Sequence, residues 1–305
     1  ILKIKQLIFA VKKTNIMKIA IFGNIYQSSK SVSAGRFFDV ISRHGAELYI
    51  DAEFMDFLQA QHVLPEGVHR ISGNDFEADI AVSIGGDGTF LKTAERVNGR
   101  NIPIVGINAG RLGFLADISE DELDGLAEEL FSGNYRTETR SMLEVVEAPL
   151  PEDYWPYALN EVAVLKQESS SMITINTRLG EEFLNSYQAD GLIISTPTGS
   201  TGYSLSVGGP VLMPQTSNFV ISPVAPHSLN VRPLVVSDND EIELTVNSRT
   251  GKYLLSLDGR SAVMPCNTAI KLRKAPFTTI LLKRHTHNFL DTLRNKLMWG
   301  ADKRN

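Results

Sequence analysis

Cysteine is almost missing from this 305-residue chain: Cys266 is the single one, so no intrachain disulfide can form. A lone thiol fits a reducing compartment, which makes the cytoplasm the expected location, and Cys266 reads as a small apolar side chain rather than a nucleophile. No run approaches the ~20 uninterrupted apolar residues of a membrane helix. The stretch from Leu2 to Val11 is short, is broken by Lys3 and Lys5, and has no small-residue cleavage site after it. Internal repeats and low-complexity tracts are missing as well. What the chain does have is 43% apolar and 21% charged residues with 23 Gly and 13 Pro, enough apolar surface for a packed core. That balance excludes collagen, a coiled coil and a disordered chain. A single core tends to split beyond roughly 250–300 residues, so two domains are expected.

The net charge of −5 argues against broad affinity for nucleic acid, and no membrane partner is expected. The charge is uneven: residues 271–305 carry +7 and residues 1–18 carry +5, leaving −17 on the rest. The basic ends read as solvated faces. Met17 followed by KIAIFGN looks like a natural start, so residues 1–16 are expected to be an extension with little part in the fold.

The first half alternates strand and helix patterns. Strands are expected at Lys18–Gly23, Ala46–Ile50, Ile80–Ile84 and Ile102–Ile107. Helices are expected from Ser33 to His44 with Gly45 as cap, after the glycine turn at 85–89, and from a Ser119–Glu122 capping box to Gly133. Alternating β and α elements predict a parallel sheet with helices on both faces. After about residue 137 short β-rich runs follow one another, including Leu143–Val146, Tyr157–Leu165, Met172–Thr177, Leu192–Ser195, Lys252–Leu257 and Ala269–Leu272. They predict an all-β region of two packed sheets, followed by one more strand at Thr278–Leu282 and a helix at Phe289–Trp299. The fold class is therefore α/β plus all-β, a Rossmann-like parallel sheet followed by a β-sandwich-like domain.

Three features carry chemistry. Gly85-Gly86-Asp87-Gly88-Thr89 lies between a buried strand and a helix start, where free amides and the helix dipole suit phosphate. Gly85, Gly86, Gly88 and Thr89 are the phosphate-binding candidates. Asp87 would repel phosphates unless it takes a proton from an attacking hydroxyl or holds a phosphate-bound metal. The plainer reading is a tight turn with Asp at the helix start. Neither the P-loop pattern nor G-x-G-x-x-G is present after a strand. The second feature, ADGLIISTPTGSTGYSLSVGGP at 189–210, offers hydroxyls and amides suited to ribose and phosphate oxygens; Ser200 lacks the nucleophile-elbow context of a hydrolase. The third is Asn160-Glu161 in an otherwise apolar strand, either ligand-facing or on the wet face of an edge strand. The six histidines lack zinc spacing, and no protein-only metal site is expected.

GGDGTFL at 85–91, NAGRLGFLAD at 108–117, LNEV at 159–162, the 190–210 string and SLDGR at 256–260 together resemble the NAD kinase family, over nearly the whole chain from Met17. The resemblance implies transfer of a phosphoryl group from ATP, or in some members polyphosphate, to the 2′-hydroxyl of the adenosine ribose of NAD, giving NADP. A divalent metal, magnesium by preference, would accompany the donor. It also implies a homodimer or homotetramer whose site includes residues of a neighbouring subunit. The last segment would return to the first domain, so that 1–137 is completed by 276–305 and 138–275 forms the second, NAD-binding domain.

Position by position, Asp87 resembles the family's catalytic aspartate, Gly88 lies against the dinucleotide, and Phe114 stands where an aromatic lines the adenine pocket. Asn160 and Glu161 match the pair that bonds the ribose hydroxyls. Asp190, with Gln188 before it, resembles the nicotinamide end. Thr201, Gly202, Tyr203, Ser204, Leu205 and Ser206 match the stretch around the second ribose and amide. Ser171, Ala225 and Arg260 align with further contacts. Gly202 replaces a usual Ala, and Ser171 a usual basic side chain. Arg111 and Lys92 are the candidates for the donor phosphates. A lipid kinase sharing the glycine turn, or a non-catalytic NAD(P)-binding regulator, are the alternatives.

Overall fold

The computed structural model describes residues 16–26, 29–110, 113–168, 171–266 and 268–300, so the expected extension lies outside the described residues but for Ile16. Five strands, β1 (Lys18–Gly23), β2 (Glu47–Asp51), β3 (His69–Ile71), β4 (Ile80–Gly85) and β5 (Ile104–Asn108), of which β1, β4 and β5 are mostly apolar, run parallel in the order β3-β2-β1-β4-β5. Strands of this kind need cover on both faces. Their period of two supplies it: Ile19, Ile21, Val82, Ile84, Val105 and Ile107 join one buried cluster, while Ala20, Phe22, Ala81 and Ile104 join another. The first cluster is completed by α1 (Ser29–Ile41), α2 (Ala52–Ala60) and α4 (Leu123–Ser132), the second by Phe90, Ala94 and Val97 of α3 (Asp87–Val97).

The local signals explain most boundaries. Glu122 reaches back to the Ser119 amide at 2.9 Å in the expected capping box, and Gly133 closes α4 at φ 73°. The helix expected from Ser33 starts at Ser29, and its last turn tightens at Ser42–His44 before Gly45 at φ 72°. Neither α2 nor β3 was predicted: α2 is nine residues long and buries only Phe54 and Leu58, too little for a periodic signal.

A sixth strand, β6 (Arg136–Arg140), also belongs to the first sheet, and twelve further strands follow it. These are β7 (Leu143–Glu147), β8 (Tyr157–Ala158), β9 (Glu161–Lys166), β10 (Ile173–Leu179), β11 (Glu182–Ala189), β12 (Gly191–Ser195), β13 (Asn218–Val224), β14 (Leu234–Ser237), β15 (Ile242–Asn247), β16 (Lys252–Leu257), β17 (Arg260–Pro265) and β18 (Ala269–Lys274). They form two antiparallel six-stranded sheets, β11-β10-β15-β18-β7-β8 and β14-β13-β12-β9-β16-β17. Ile175, Leu244 and Leu272 of one share a core with Val162, Ile194 and Tyr253 of the other. The chain thus has the expected class, an α/β sheet followed by a β-sandwich. The short α5 (Tyr203–Ser206) follows β12.

The end of the chain goes back to the first sheet. β19 (Thr279–Lys283) inserts between β5, which it meets in parallel, and β6, which it meets antiparallel. The helix α6 (Phe289–Leu297) follows, with Asn288 accepting the Asp291 amide at 2.9 Å. Lys283 at the end of β19 meets Asp117 at 2.7 Å, both buried. Burial pushes the Asp117 carboxyl up, but Lys283 and His287 outweigh it and hold it below its ordinary range. Lys283→Met leaves this buried carboxylate with only His287 beside it, so chemical unfolding should register a loss of about 3 kcal/mol. Lys271→Met, which breaks an exposed pair with Glu147, should cost less than about 1 kcal/mol in the same measurement.

Candidate functional site: a cleft at the glycine turn

Strand order reverses between β1 and β4, and in open α/β sheets ligands bind beyond the strand ends at such a point. A cleft of about 630 Å³ lies there, lined by Asn24, Gly86, Gly88, Thr89 and Lys92 and closed on the other side by the Asp258-Gly259-Arg260 turn of the sandwich. A side chain at Gly86 or Gly88 would meet nothing within 4 Å, so both face open space. Gly86 is the N-cap of α3 without a side chain to cap it. The first amides of the helix and its positive dipole end are therefore free for an anion. Gly85 and Thr89 are buried behind them. Lys92 sits at this cleft with its ammonium 5.7 Å from the Tyr26 ring. Arg111 lies outside the described residues.

Asp87 opens α3, yet its carboxylate turns to the strap that follows β5. It accepts the amides of Phe114, Leu115 and Ala116, each at 3.0 Å. The strap comes so close that a Cβ at Gly113 would lie 2.0 Å from the Asp87 carboxylate, which excludes any side chain there. Lys296 of α6 completes the cluster, 3.4 Å from Asp87 and 4.7 Å above the Phe114 ring. Phe114 also meets Phe289, with ring centres 6.0 Å apart.

Asn160 and Glu161 sit where the expected continuous strand is broken into β8 and β9. The chain passes there from one sheet of the sandwich to the other, and the Asp258 carboxylate holds the crossing by accepting the amides of Leu159 (2.6 Å), Asn160 (2.8 Å) and Glu161 (3.0 Å). Asp258 and Gly259 make a two-residue hairpin turn with φ of 50° and 83°, the Asp-Gly turn that joins twisted strands. Among the described residues, Asn160 Oδ1, Glu161 Oε2 and Thr198 Oγ1 are buried without a hydrogen-bond partner. Buried polar groups are normally paired, so orphans gathered in one place indicate a missing ligand or water. Burial, with the Asp258 charge adding to it, pushes the Glu161 carboxyl up to about 7, against an opposing hydrogen bond from the Tyr203 backbone. Burial also raises Asp258. A methyl at Gly202 would come within 3.0 Å of Glu161 Oε2, so the departure from Ala leaves that oxygen clear.

The other expected residues divide into two groups. Thr201, Gly202, Tyr203, Leu205 and Ser206 lie at the end of β12 near Glu161, with Tyr203 and Ser206 exposed. Ser204 is turned inward, its hydroxyl 3.0 Å from that of Ser222. Asp190 stands at the start of β12, paired with Lys166 at 2.6 Å. Ala225, at φ 44°, is beside it, since the Asp190 amide bonds Val224. Gln188 and Ser171 share an open groove with Asn247 and Arg249. The length of β12, about 13 Å at ~3.3 Å per residue, separates the two groups within one chain. Arg260 lines the cleft, but its guanidinium is spent on the carbonyls of Trp155 (2.9 Å) and Tyr157 (2.6 Å) and on Glu95 (3.6 Å).

Among the described residues no three His, Cys, Asp or Glu gather as a metal site. Among these residues the donor set does not fit a resident ion. Sequence reasoning passed over Asp258 and Lys296. Asp-Gly between two apolar runs is a strong hairpin signal that could have marked the first; nothing local marks the second.

The ATP-NAD kinase N-terminal domain model matches residues 19–135 and the ATP-NAD kinase C-terminal domain model residues 159–283. An NAD kinase of Bacteroides fragilis is 50% identical over 289 residues, covering 94% of this chain and 100% of the relative. One of Porphyromonas gingivalis is 46% identical over 289 residues, covering 93% and 98%. Among solved structures, an NAD kinase from Archaeoglobus fulgidus in complex with ATP superposes with TM-score 0.73 at 25% identity, covering 92% of this chain and 99% of that one. Yeast NADH kinase complexed with NADH superposes with TM-score 0.83 at 21% identity over 95% and 90%, a likeness of fold. By its motifs, both family matches and these relatives, the chain belongs to the ATP-NAD kinase family.

Proposed function

We propose that this protein is an NAD kinase that transfers the γ-phosphoryl group of ATP to the 2′-hydroxyl of the adenosine ribose of NAD, giving NADP and ADP. The observation that carries the reading is the orphaned pair Asn160 Oδ1 and Glu161 Oε2, buried acceptors with nothing to accept from. Ribose hydroxyls supply such donors. A lipid kinase gives no reason for that pair, and a non-catalytic binder has no use for Asp87 at the phosphate turn.

In this reading ATP enters as its magnesium complex, the magnesium being part of the substrate, with its phosphates against the first amides of α3 and Lys92 within reach. Inorganic polyphosphate would fit the same amides. Phosphoryl transfer rests on positioning and charge more than on covalent help from the protein. The backbone strap at Phe114–Ala116 fixes the Asp87 carboxylate, which takes the proton of the 2′-oxygen as that oxygen attacks γ-phosphorus. The bond from phosphorus to the bridging oxygen breaks, and its electron pair leaves with ADP. The second group of residues, Ser171, Gln188, Asp190 and Ala225, lies too far along β12 to share one ribose with Glu161. A neighbouring subunit in a homodimer or homotetramer would bring such a group to the nicotinamide end. The lone thiol and the substrates fit the cytoplasm.

A coupled assay with NAD, ATP and magnesium tests the reading directly; no NADP formed by the purified chain would refute it. Asp87→Asn should cut kcat by ~100-fold or more while the KM for NAD moves by less than about threefold. Glu161→Gln should chiefly raise that KM, and a loss confined to kcat would contradict a binding role. Glu161 also has a signature in stability. Its carboxyl ionises near 4.5 when unperturbed and near 7 in the folded chain. Between those values the folded state binds the extra proton, so stability falls as pH rises through this window, and the loss is complete above it. Glu161→Gln lacks this loss. Relative to the parent it should gain about 3 kcal/mol between roughly pH 4 and 8, read from unfolding curves.

A further inference from the structure

The last helix brings an ammonium to the reacting carboxylate. Phe289, Thr292, Leu293 and Lys296 recur at the spacing of one helix face. The first packs on Phe114, and Thr292 and Leu293 are buried. The inward face of α6 thus ends in a lysine, which reaches across 209 residues of sequence to Asp87 and covers the Phe114 ring. Stability is a poor account of it, because the pair is 3.4 Å apart with side chains 31% and 29% exposed, and such pairs contribute about 0–1 kcal/mol.

The hydrogen bonds of Asp87 give a better one. A carboxylate offers about four acceptor positions. One oxygen of Asp87 takes the amides of Leu115 and Ala116, and the other takes the amide of Phe114 and the ammonium of Lys296. A substrate hydroxyl needs one of these positions. The three amides belong to a strap fixed by its own backbone bonds, Gly113 to Ala116 at 3.0 Å and Ile118 to Gly106 at 3.1 Å. Lys296 is the longest contact, on a flexible stem, and it is the partner that yields.

We propose that Lys296 is a further catalytic residue of the phosphoryl transfer, holding Asp87 before the acceptor hydroxyl arrives and then donating to the phosphoryl group in flight. The inference rests on the NAD kinase reading above. The 2′-oxygen gives its proton to Asp87 and forms the new bond to phosphorus, and the bond to the leaving ADP oxygen breaks with its electron pair. Lys296 stays protonated and exchanges a carboxylate oxygen for a non-bridging phosphoryl oxygen.

The test uses the full chain with NAD and magnesium ATP. Lys296→Met should lose about 100-fold in kcat, with the KM for NAD and the thermal midpoint of unfolding little changed. Lys296→Arg, which keeps the charge, should recover a large part of the rate. A Met variant within about twofold of the parent in kcat would overturn the proposal. So would a Met variant with raised kcat/KM for NAD, since the lysine would then only obstruct the site. A parent chain that forms no NADP would remove the underlying reading as well, which separates that failure from this one.

Discussion

One carboxylate holds three successive amides, and much of the site depends on that arrangement. Asp258, at the tip of the β16–β17 hairpin, takes the amides of Leu159, Asn160 and Glu161. The chain leaves the sheet of β8 and enters the sheet of β9 at this point, and the bonds hold the crossing backbone so that two polar side chains are left in a buried place with acceptors unused. The same turn closes the cleft opposite the glycine turn. A single buried acid therefore fixes both the Asn160-Glu161 segment and one wall of the cleft at the glycine turn. Its cost is the burial of two neighbouring carboxyls, which raises both and keeps Glu161 close to half-ionised near neutrality.

Asp87 repeats the device on the other side of the cleft, with the amides of Phe114 to Ala116. The two halves are joined by packed side chains rather than by a linker. Phe22, Phe90 and Val97 of the α/β layer share a cluster with Met142, Leu159 and Ala275, and Trp155, Tyr157 and Phe277 pack against it. Arg260 crosses the same junction to Glu95 on α3. Close-packed interfaces of this kind hold geometry to fractions of an ångström, which phosphoryl transfer requires.

The sequence disclosed elements in proportion to their apolar periodicity. β1, β4 and β5 were legible because their buried residues come in runs, β16 because its buried residues alternate, and α4 because a capping box and a glycine bracket it. β6 was not, since its Arg-Thr-Glu-Thr-Arg pattern has no apolar residue. β17 was missed although Asp258-Gly259 announces it. At the site, Asp87, Asn160 and Glu161 stood out as polar residues in apolar or glycine-rich surroundings. Their state did not, because an orphaned oxygen or a strap of amides is a property of tertiary packing. Ser204 looked like its neighbours in the string, yet the helical turn of α5 points it at Ser222. Lys296 had no local signature, being placed by the path of the whole chain.

The insertion of β19 between β5 and β6 has a consequence for how the protein is made. Among the described residues β6 has no partner in the first sheet other than β19. During synthesis its backbone donors and acceptors stay unmet while the whole sandwich is translated, and the edge of β5 stays open beside it. Pairings of such long range close slowly and leave strand edges exposed in the meantime. The nascent sheet is thus vulnerable to sticking until β19 leaves the ribosome, and the charged alternation along β6 is the kind of sequence that keeps a waiting edge from joining the wrong neighbour.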